Sequence, residues 1–171
     1  GASYYPVITS GIDTANNITI ASGGSLTVGS GTLQIFGSIS NSGTLDATNG
    51  TIEMKGASAQ TIDGSAFYQR TIDNLIVSNT GTGLSVASTA NDTLKITGSL
   101  TFGGSTSTLN TGDNITLVSN SAGTASLGIL GSGNTINGQV IVERYINIGT
   151  AAGQHAKSWQ LLATPTVGQT V

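Results

Sequence analysis

Short apolar pairs, each split by one residue, return along the whole chain between clusters of Gly, Asn, Ser and Asp. Ile18–Ile20, Leu26–Val28, Leu33–Ile35, Ile52–Met54, Leu75–Val77, Leu84–Val86, Leu94–Ile96, Leu100–Phe102, Ile115–Leu117 and Val140–Val142 all follow this pattern. Alternation with a period of two puts both members of a pair on one face of a strand and the residue between them on the other. One series of these pairs begins at Leu33, Ile52, Leu75, Leu94, Ile115 and Ile136, in steps of 19, 23, 19, 21 and 21 residues. A second begins at Leu26 and Leu45 and resumes at Leu84. A period of roughly 20 residues filled with short strands predicts a stack of coils, in which no coil buries its own apolar side alone. The fold expected is all-β: a right-handed parallel β-helix, or β-solenoid, of about six rungs.

Stacking the first series in phase predicts two outward columns. Gln34, Glu53, Ile76, Lys95, Thr116 and Asn137 form one; Phe36, Lys55, Ser78, Thr97, Val118 and Gln139 form the other. Rungs about 4.8 Å apart then separate Glu53 from Lys95 by roughly 10 Å, too far for a direct ion pair. Gly24, Gly29, Gly37, Gly50, Gly56, Gly83 and Gly98 fall at the expected corners, where backbone freedom is needed. The competing architecture is an antiparallel β-sandwich. Asn49-Gly50, between TLDAT and TIEMK, is a good two-residue hairpin signal, and Asn137-Gly138 reads the same way. Hairpins do not require a fixed long period, however, and a solenoid does. An antiparallel pairing of 44–48 with 51–55 decides between them.

No segment holds helical apolar spacing for three turns. The ends differ from the middle. Residues 1–16 form an N-terminal lead-in or cap containing Tyr4, Tyr5 and Pro6, and residues 17–138 carry the solenoid repeats. From 139 to 171 the repeat fades into a C-terminal cap or the start of a following domain. No signal peptide is recognisable, and Gly1 reads as the start of a processed or excised segment.

Composition narrows the function. Charged residues are 8% of the chain, against about 25% in an ordinary soluble domain. Apolar residues are 37% and regularly placed, so the chain is not disordered. The five cations Lys55, Arg70, Lys95, Arg144 and Lys157 are scattered, and the net charge is −3, which argues against a nucleic-acid partner. No apolar run is long enough for membrane insertion as a helix. The absence of cysteine removes disulfide and thiolate chemistry.

Glycoside hydrolysis needs two carboxyls about 5–9.5 Å apart. The acids are Asp13, Asp46, Glu53, Asp63, Asp73, Asp92, Asp113 and Glu143. Most stand in turn contexts such as TIDG and TGDN, where Asp caps a bend. Asp46 and Glu53, the nearest outward pair, fall on different strands of one rung. No catalytic residue is assigned, and the expected protein is not an enzyme. His155 is alone and the calcium-binding nonapeptide is missing, so neither a metal nor any other cofactor is expected. The candidate small-ligand patch is Arg144, Tyr145, His155 and Trp159, where aromatic faces with polar handles suit a glycan. The plainer reading, in which Tyr145 and Trp159 cover the open end of the solenoid, is preferred. Regular outward Thr-x-Thr ladders, as ice binding requires, are missing.

Four stretches taken in order carry a family resemblance: NSGTLDATNGTIEMKG; AQTIDG with TIDNLIVSNTGTGLSV; LNTGDNITLVSNSAGTASLG; and GQVIVERYI with SWQLLATPTVG. Together they resemble repeat modules of very large secreted and surface proteins of Bacteroidetes, many of which carry a sorting domain for type IX secretion. The resemblance spans about residues 17–170 and implies an extracellular module, adhesive or structural, with no catalytic residues. Separately, a solenoid exposes unpaired strand edges at its two ends, which predicts end-to-end association with neighbouring modules of the same long chain or with copies of itself in a fibre. Surface glycans are the partner expected of the aromatic patch. Asp13-Thr14-Ala15 and Asp92-Thr93-Leu94 also resemble the three-residue O-glycosylation acceptor of that phylum, though both threonines read as turn residues.

Overall fold

The computed structural model of the chain describes residues 5–87 and 92–146. It is a parallel β-solenoid of about six turns, without α-helix among the described residues. Each full rung carries three short strands on three faces. The first rung is β1 (Val7–Ile8), β2 (Ile12–Ala15) and β3 (Ile18–Ile20). The second is β4 (Ser25–Val28), β5 (Thr32–Ile35) and β6 (Ile39–Asn41). In the next three rungs one strand bends across the first two faces and a short strand makes the third. These are β7 (Thr44–Met54) with β8 (Gln60–Ile62), β9 (Thr71–Val77) with β10 (Leu84–Val86), and β11 (Leu94–Phe102) with β12 (Thr108–Asn110). The last full rung is β13 (Ile115–Leu117), β14 (Ser126–Leu127) and β15 (Thr135–Asn137), after which β16 (Ile141–Val142) opens another.

Every pairing between these strands is parallel. Residues 44–48 and 51–55 do not form a hairpin. Leu45 of β7 lies opposite Leu26 of β4, and Ile52 of the same strand lies opposite Leu33 of β5. The single antiparallel contact among the described residues is the isolated bridge Ser119–Thr124. Asn137-Gly138 likewise turns a corner between two strands of the stack, with Gly138 at φ +94.

Two apolar columns run up the inside. On the second face, Leu33, Ile52, Leu75, Leu100 and Leu127 stand in register, headed by Asp13 on the first rung. On the first face, Ala47, Ile72, Ile96, Leu117 and Val142 do the same, continuing a column begun by Ile8 and Val28. The middle members are completely buried, and a Leu or Ile in such a site contributes about 1.5–3 kcal/mol by leaving water.

This register corrects the columns drawn from the sequence. Leu75 stacks on Leu100, not on Leu94; Leu94 pairs with Ile115 on the first face; and Ile136 belongs to the third face, opposite Leu109. The outward column is therefore Thr14, Gln34, Glu53, Ile76 and Thr101, while Lys95 lies between Thr71 and Thr116. Corner length is the reason. Between the first two faces, β7 uses three residues (48–50), β9 only Asp73, and β11 two (97–98). Equivalent positions thus drift even though the rungs stay in phase.

The corner glycines are needed mostly for a different reason from the one expected. Of those predicted, only Gly83 has a positive φ. At Gly50 an added Cβ would collide with the carbonyl oxygens of Val28 and Gly29 on the rung below. Close approach between rungs, more than a left-handed backbone, excludes side chains there.

Candidate functional site

The main irregularity lies on the third face. There β6 pairs only with β3, while β8 begins a separate four-stranded sheet through β10, β12 and β15. The break coincides with an insertion between β8 and β9, residues 64–70, folded as two short 3-10 turns (Gly64–Ala66 and Tyr68–Arg70). Asp63 starts the insertion, its carboxylate accepting the Ser65 backbone N–H at 2.9 Å. Phe67 anchors it in the core. The Ala66 carbonyl accepts from Asn41 Nδ2 at 2.7 Å, so at this edge the insertion supplies a hydrogen-bond partner to β6.

A cleft of about 490 Å³ opens at this break, lined by Asn17, Ser38, Ile39, Gln60, Thr61, Asp63 and Ala66 among others. Gln60 forms its floor. It stands in register with the inward Leu84, yet its buried carboxamide is fully bonded. Nε2 donates to the carbonyls of Ile35 (3.0 Å) and Gly37 (2.9 Å), and Oε1 accepts from Gly56 N–H (2.7 Å) and Asn79 Nδ2 (2.8 Å). The rim offers amide, hydroxyl and carboxylate groups. That is a hydrogen-bonding surface with one acid, not the paired carboxyls of glycoside hydrolysis. A second cleft of about 450 Å³ lies beside the first rung, against Tyr5, Pro6, Ile18 and Leu26.

The acids are distributed through the stack as fasteners. Asp46 accepts Thr48 N–H (3.0 Å) and Thr48 Oγ1 (2.7 Å) within its own bend. Five others reach between rungs. Asp73 accepts Thr97 Oγ1 at 3.1 Å, Asp113 accepts Gln139 N–H at 2.6 Å, and Glu143 accepts Ser119 N–H at 3.0 Å. Glu53, nearly buried, accepts Gln34 Nε2 at 2.6 Å and pairs with Lys55 at 3.6 Å. Asp92 pairs with Arg70 at 3.1 Å. Asp46 and Glu53 lie on the two arms of bent β7, one on each of two faces. Among the described residues no three His, Asp or Glu side chains gather where a metal ion could be held.

Of the predicted glycan patch, the structure places two members. Arg144 and Tyr145 follow β16 on the last rung, both exposed, with Tyr145 N–H donating to Ser119 Oγ at 2.9 Å. His155 and Trp159 lie outside the described residues. Thr14 is exposed in β2, whereas the Thr93 hydroxyl is engaged by Asn114 Oδ1 at 2.9 Å.

Gln60 and Asn79 did not emerge from sequence reasoning. The signal was available: aligning AQTI with GLSV puts a Gln in a slot otherwise held by Leu. No family model, curated protein or solved structure matches the chain.

Proposed function

We propose that the chain is a non-enzymatic structural or adhesive module of an extracellular bacterial surface or secreted protein. Its rungs act as a rigid spacer continued by neighbouring modules of the same long chain or by further copies of itself. The supporting observation is the use made of the carboxylates. Asp73, Asp113, Glu143, Glu53 and Asp92 each tie one rung to another, and Asp46 and Asp63 each hold a bend. Groups committed to fixed donors in this way serve the stack. An acid–base pair for catalysis needs a proton that can move to substrate. The extracellular placement is supported by the Ser/Thr/Asn/Gly-rich, nearly uncharged composition and by the resemblance of residues 17–170 to surface repeat modules.

Incubation with a panel of bacterial and plant polysaccharides, read by release of reducing ends and of unsaturated products, tests this reading. No turnover is expected. Turnover abolished by changing one acid overturns it. A glycan array run with the intact chain and with Trp159→Ala covers the alternative, since specific binding lost in the variant makes the chain a carbohydrate-binding module.

A further inference from the structure

The break in the third-face sheet leaves two strand edges facing each other across the larger cleft. On β6 the bonds to β3 use alternate residues: Ile18 N–H donates to the Ser38 carbonyl at 2.9 Å, and Ser42 N–H donates to the Ile20 carbonyl at 2.8 Å. Successive peptide groups of a parallel strand serve its two neighbours by turns, so those of Ile39 and Asn41 are directed toward β8. On β8, Gln60 N–H donates to the Gly83 carbonyl at 3.2 Å and the Ile62 carbonyl accepts Ala87 N–H at 2.9 Å. The peptide groups of Thr61 are thereby directed toward β6. Yet no backbone hydrogen bond joins 38–42 to 59–63. Both walls of the cleft carry donors and acceptors that the chain itself does not pair, and such groups demand partners.

The ligand that fits is compact, neutral and rich in hydroxyls. Two ties close the slot against an added peptide strand: Gln60 Nε2 to the Gly37 carbonyl before β6 begins (2.9 Å), and Asn41 Nδ2 to the Ala66 carbonyl where it ends (2.7 Å). No Lys or Arg lines the cleft, so a phosphate or a uronate would find no counter-charge. Asp63 uses Oδ1 for Ser65 N–H, and among the described residues nothing bonds its Oδ2. A carboxylate oxygen so placed accepts a hydroxyl in a charge-assisted bond. Asn17 Oδ1 is taken by the N–H and hydroxyl of Ser38, which leaves Asn17 Nδ2 to donate. Ile39, Ala59 and Ala66 add small apolar patches against which the C–H face of a sugar ring can lie. The volume of about 490 Å³ lies within the ordinary range of small-molecule sites.

The face around the cleft has the same character. Its outward column runs Thr19, Ser40, Thr61, Ser85, Asn110 and Asn137, interrupted by the cleft between Ser40 and Thr61. Every member is a hydroxyl or an amide, whereas the second face carries Glu53 and the first carries Lys95.

We propose that the third-face cleft binds one sugar residue of a neutral glycan, with Asp63 accepting a ring hydroxyl. The proposal deepens the adhesive side of the reading above and rests on it. Isothermal titration of the full chain with neutral oligosaccharides of glucose, galactose, mannose and xylose, at millimolar concentration, is the measurement. At least one of them is expected to bind, and oligogalacturonate is not. Thr61 is exposed, so Thr61→Lys leaves the core intact while sending a long side chain across the cleft. It is expected to weaken binding at least about tenfold, and Asp63→Asn, which keeps an oxygen for Ser65 N–H, by about tenfold. Ser126→Lys, an exposed change on the second face, is expected to leave binding unchanged.

Binding of none of the neutral oligosaccharides, or preference for oligogalacturonate, overturns the proposal. Undiminished binding in Thr61→Lys or Asp63→Asn, or an equal loss in Ser126→Lys, overturns it as well. Each of those results leaves the non-enzymatic reading standing, since polysaccharide turnover alone tests that.

Discussion

Asn79 Nδ2 donates to Gln60 Oε1 across 2.8 Å, joining two buried carboxamides on consecutive rungs. Asn79 also donates to the Ser58 carbonyl at 2.7 Å, and its own oxygen accepts the N–H groups of Gly81 (2.9 Å) and Gly83 (3.1 Å). With the four bonds of Gln60, the pair satisfies backbone groups on three rungs where the chain turns away from its strands. Buried polar groups left without partners cost about 1–3 kcal/mol each. Gln60→Leu is therefore expected to lower unfolding free energy by at least about 3 kcal/mol, despite the apolar slot. Asn79→Leu is expected to cost a similar amount, and the double variant less than the sum, with a coupling of about 0.5–3 kcal/mol. Urea denaturation of the four proteins measures this. Strict additivity would mean that the two amides act independently.

Gly50 and Gly11 separate two roles of glycine. Gly50 lies against the carbonyls of the rung below, while Gly11 has φ +74 and no atom within 4 Å of an added Cβ. Gly50→Ala is expected to cost about 1–3 kcal/mol by forcing the rungs apart. At Gly11 the penalty is conformational only, so Gly11→Asn is expected to change stability by less than about 1 kcal/mol, because Asn tolerates the left-handed region. Equal losses at the two sites would contradict the packing account of the corner.

The fold was legible because burial repeats: Leu33, Ile52 and Leu75 are apolar for the same reason, one rung apart. The exact columns were not, because Asp73 turns in one residue what Thr48–Gly50 turn in three, and a fixed period cannot follow that drift. The third-face cleft was hidden for a related reason. The insertion at 64–70 is too short to stand out, yet it is enough to part β6 from β8. Asp13 looked like one more turn acid, and only the register shows that it heads the column of Leu33.

Leu75 and Leu127 share a column but not an environment. Leu75 is completely buried between rungs, whereas Leu127 is open at the end of the stack. Leu75→Ala is expected to cost about 2–5 kcal/mol, the range for a fully buried Leu or Ile. Leu127→Ala is expected to cost well under half as much, since its atoms are already partly in water. Chemical denaturation at a concentration where the chain is monomeric keeps end-to-end contact from masking the difference. Similar losses would mean that Leu127 is covered in solution.

Gln69 and Arg70 are consecutive non-glycine residues in the left-handed region, at φ 54 and φ 58, inside the insertion that opens the third face. Such a conformation costs a non-glycine residue roughly 1–2 kcal/mol. At Gln69 the exposed side chain makes no hydrogen bond among the described residues, so nothing local offsets that cost. Arg70 differs, because its guanidinium Nε donates to Asp92 at 3.1 Å on the next rung. Exposed ion pairs of this kind contribute about 0–1 kcal/mol and weaken with salt. Gln69→Gly is thus expected to raise stability by about 0.5 kcal/mol, the relieved strain being partly offset by the greater freedom of Gly in the unfolded chain. Arg70→Gly is expected to leave stability nearly unchanged at low salt and to become mildly stabilising at high salt, once wild type has lost its ion pair. Thermal melts of the two variants at low and high salt give the comparison. A loss of stability in Gln69→Gly would mean that the left-handed turn is held by Gln69 itself and not imposed by the rungs on either side.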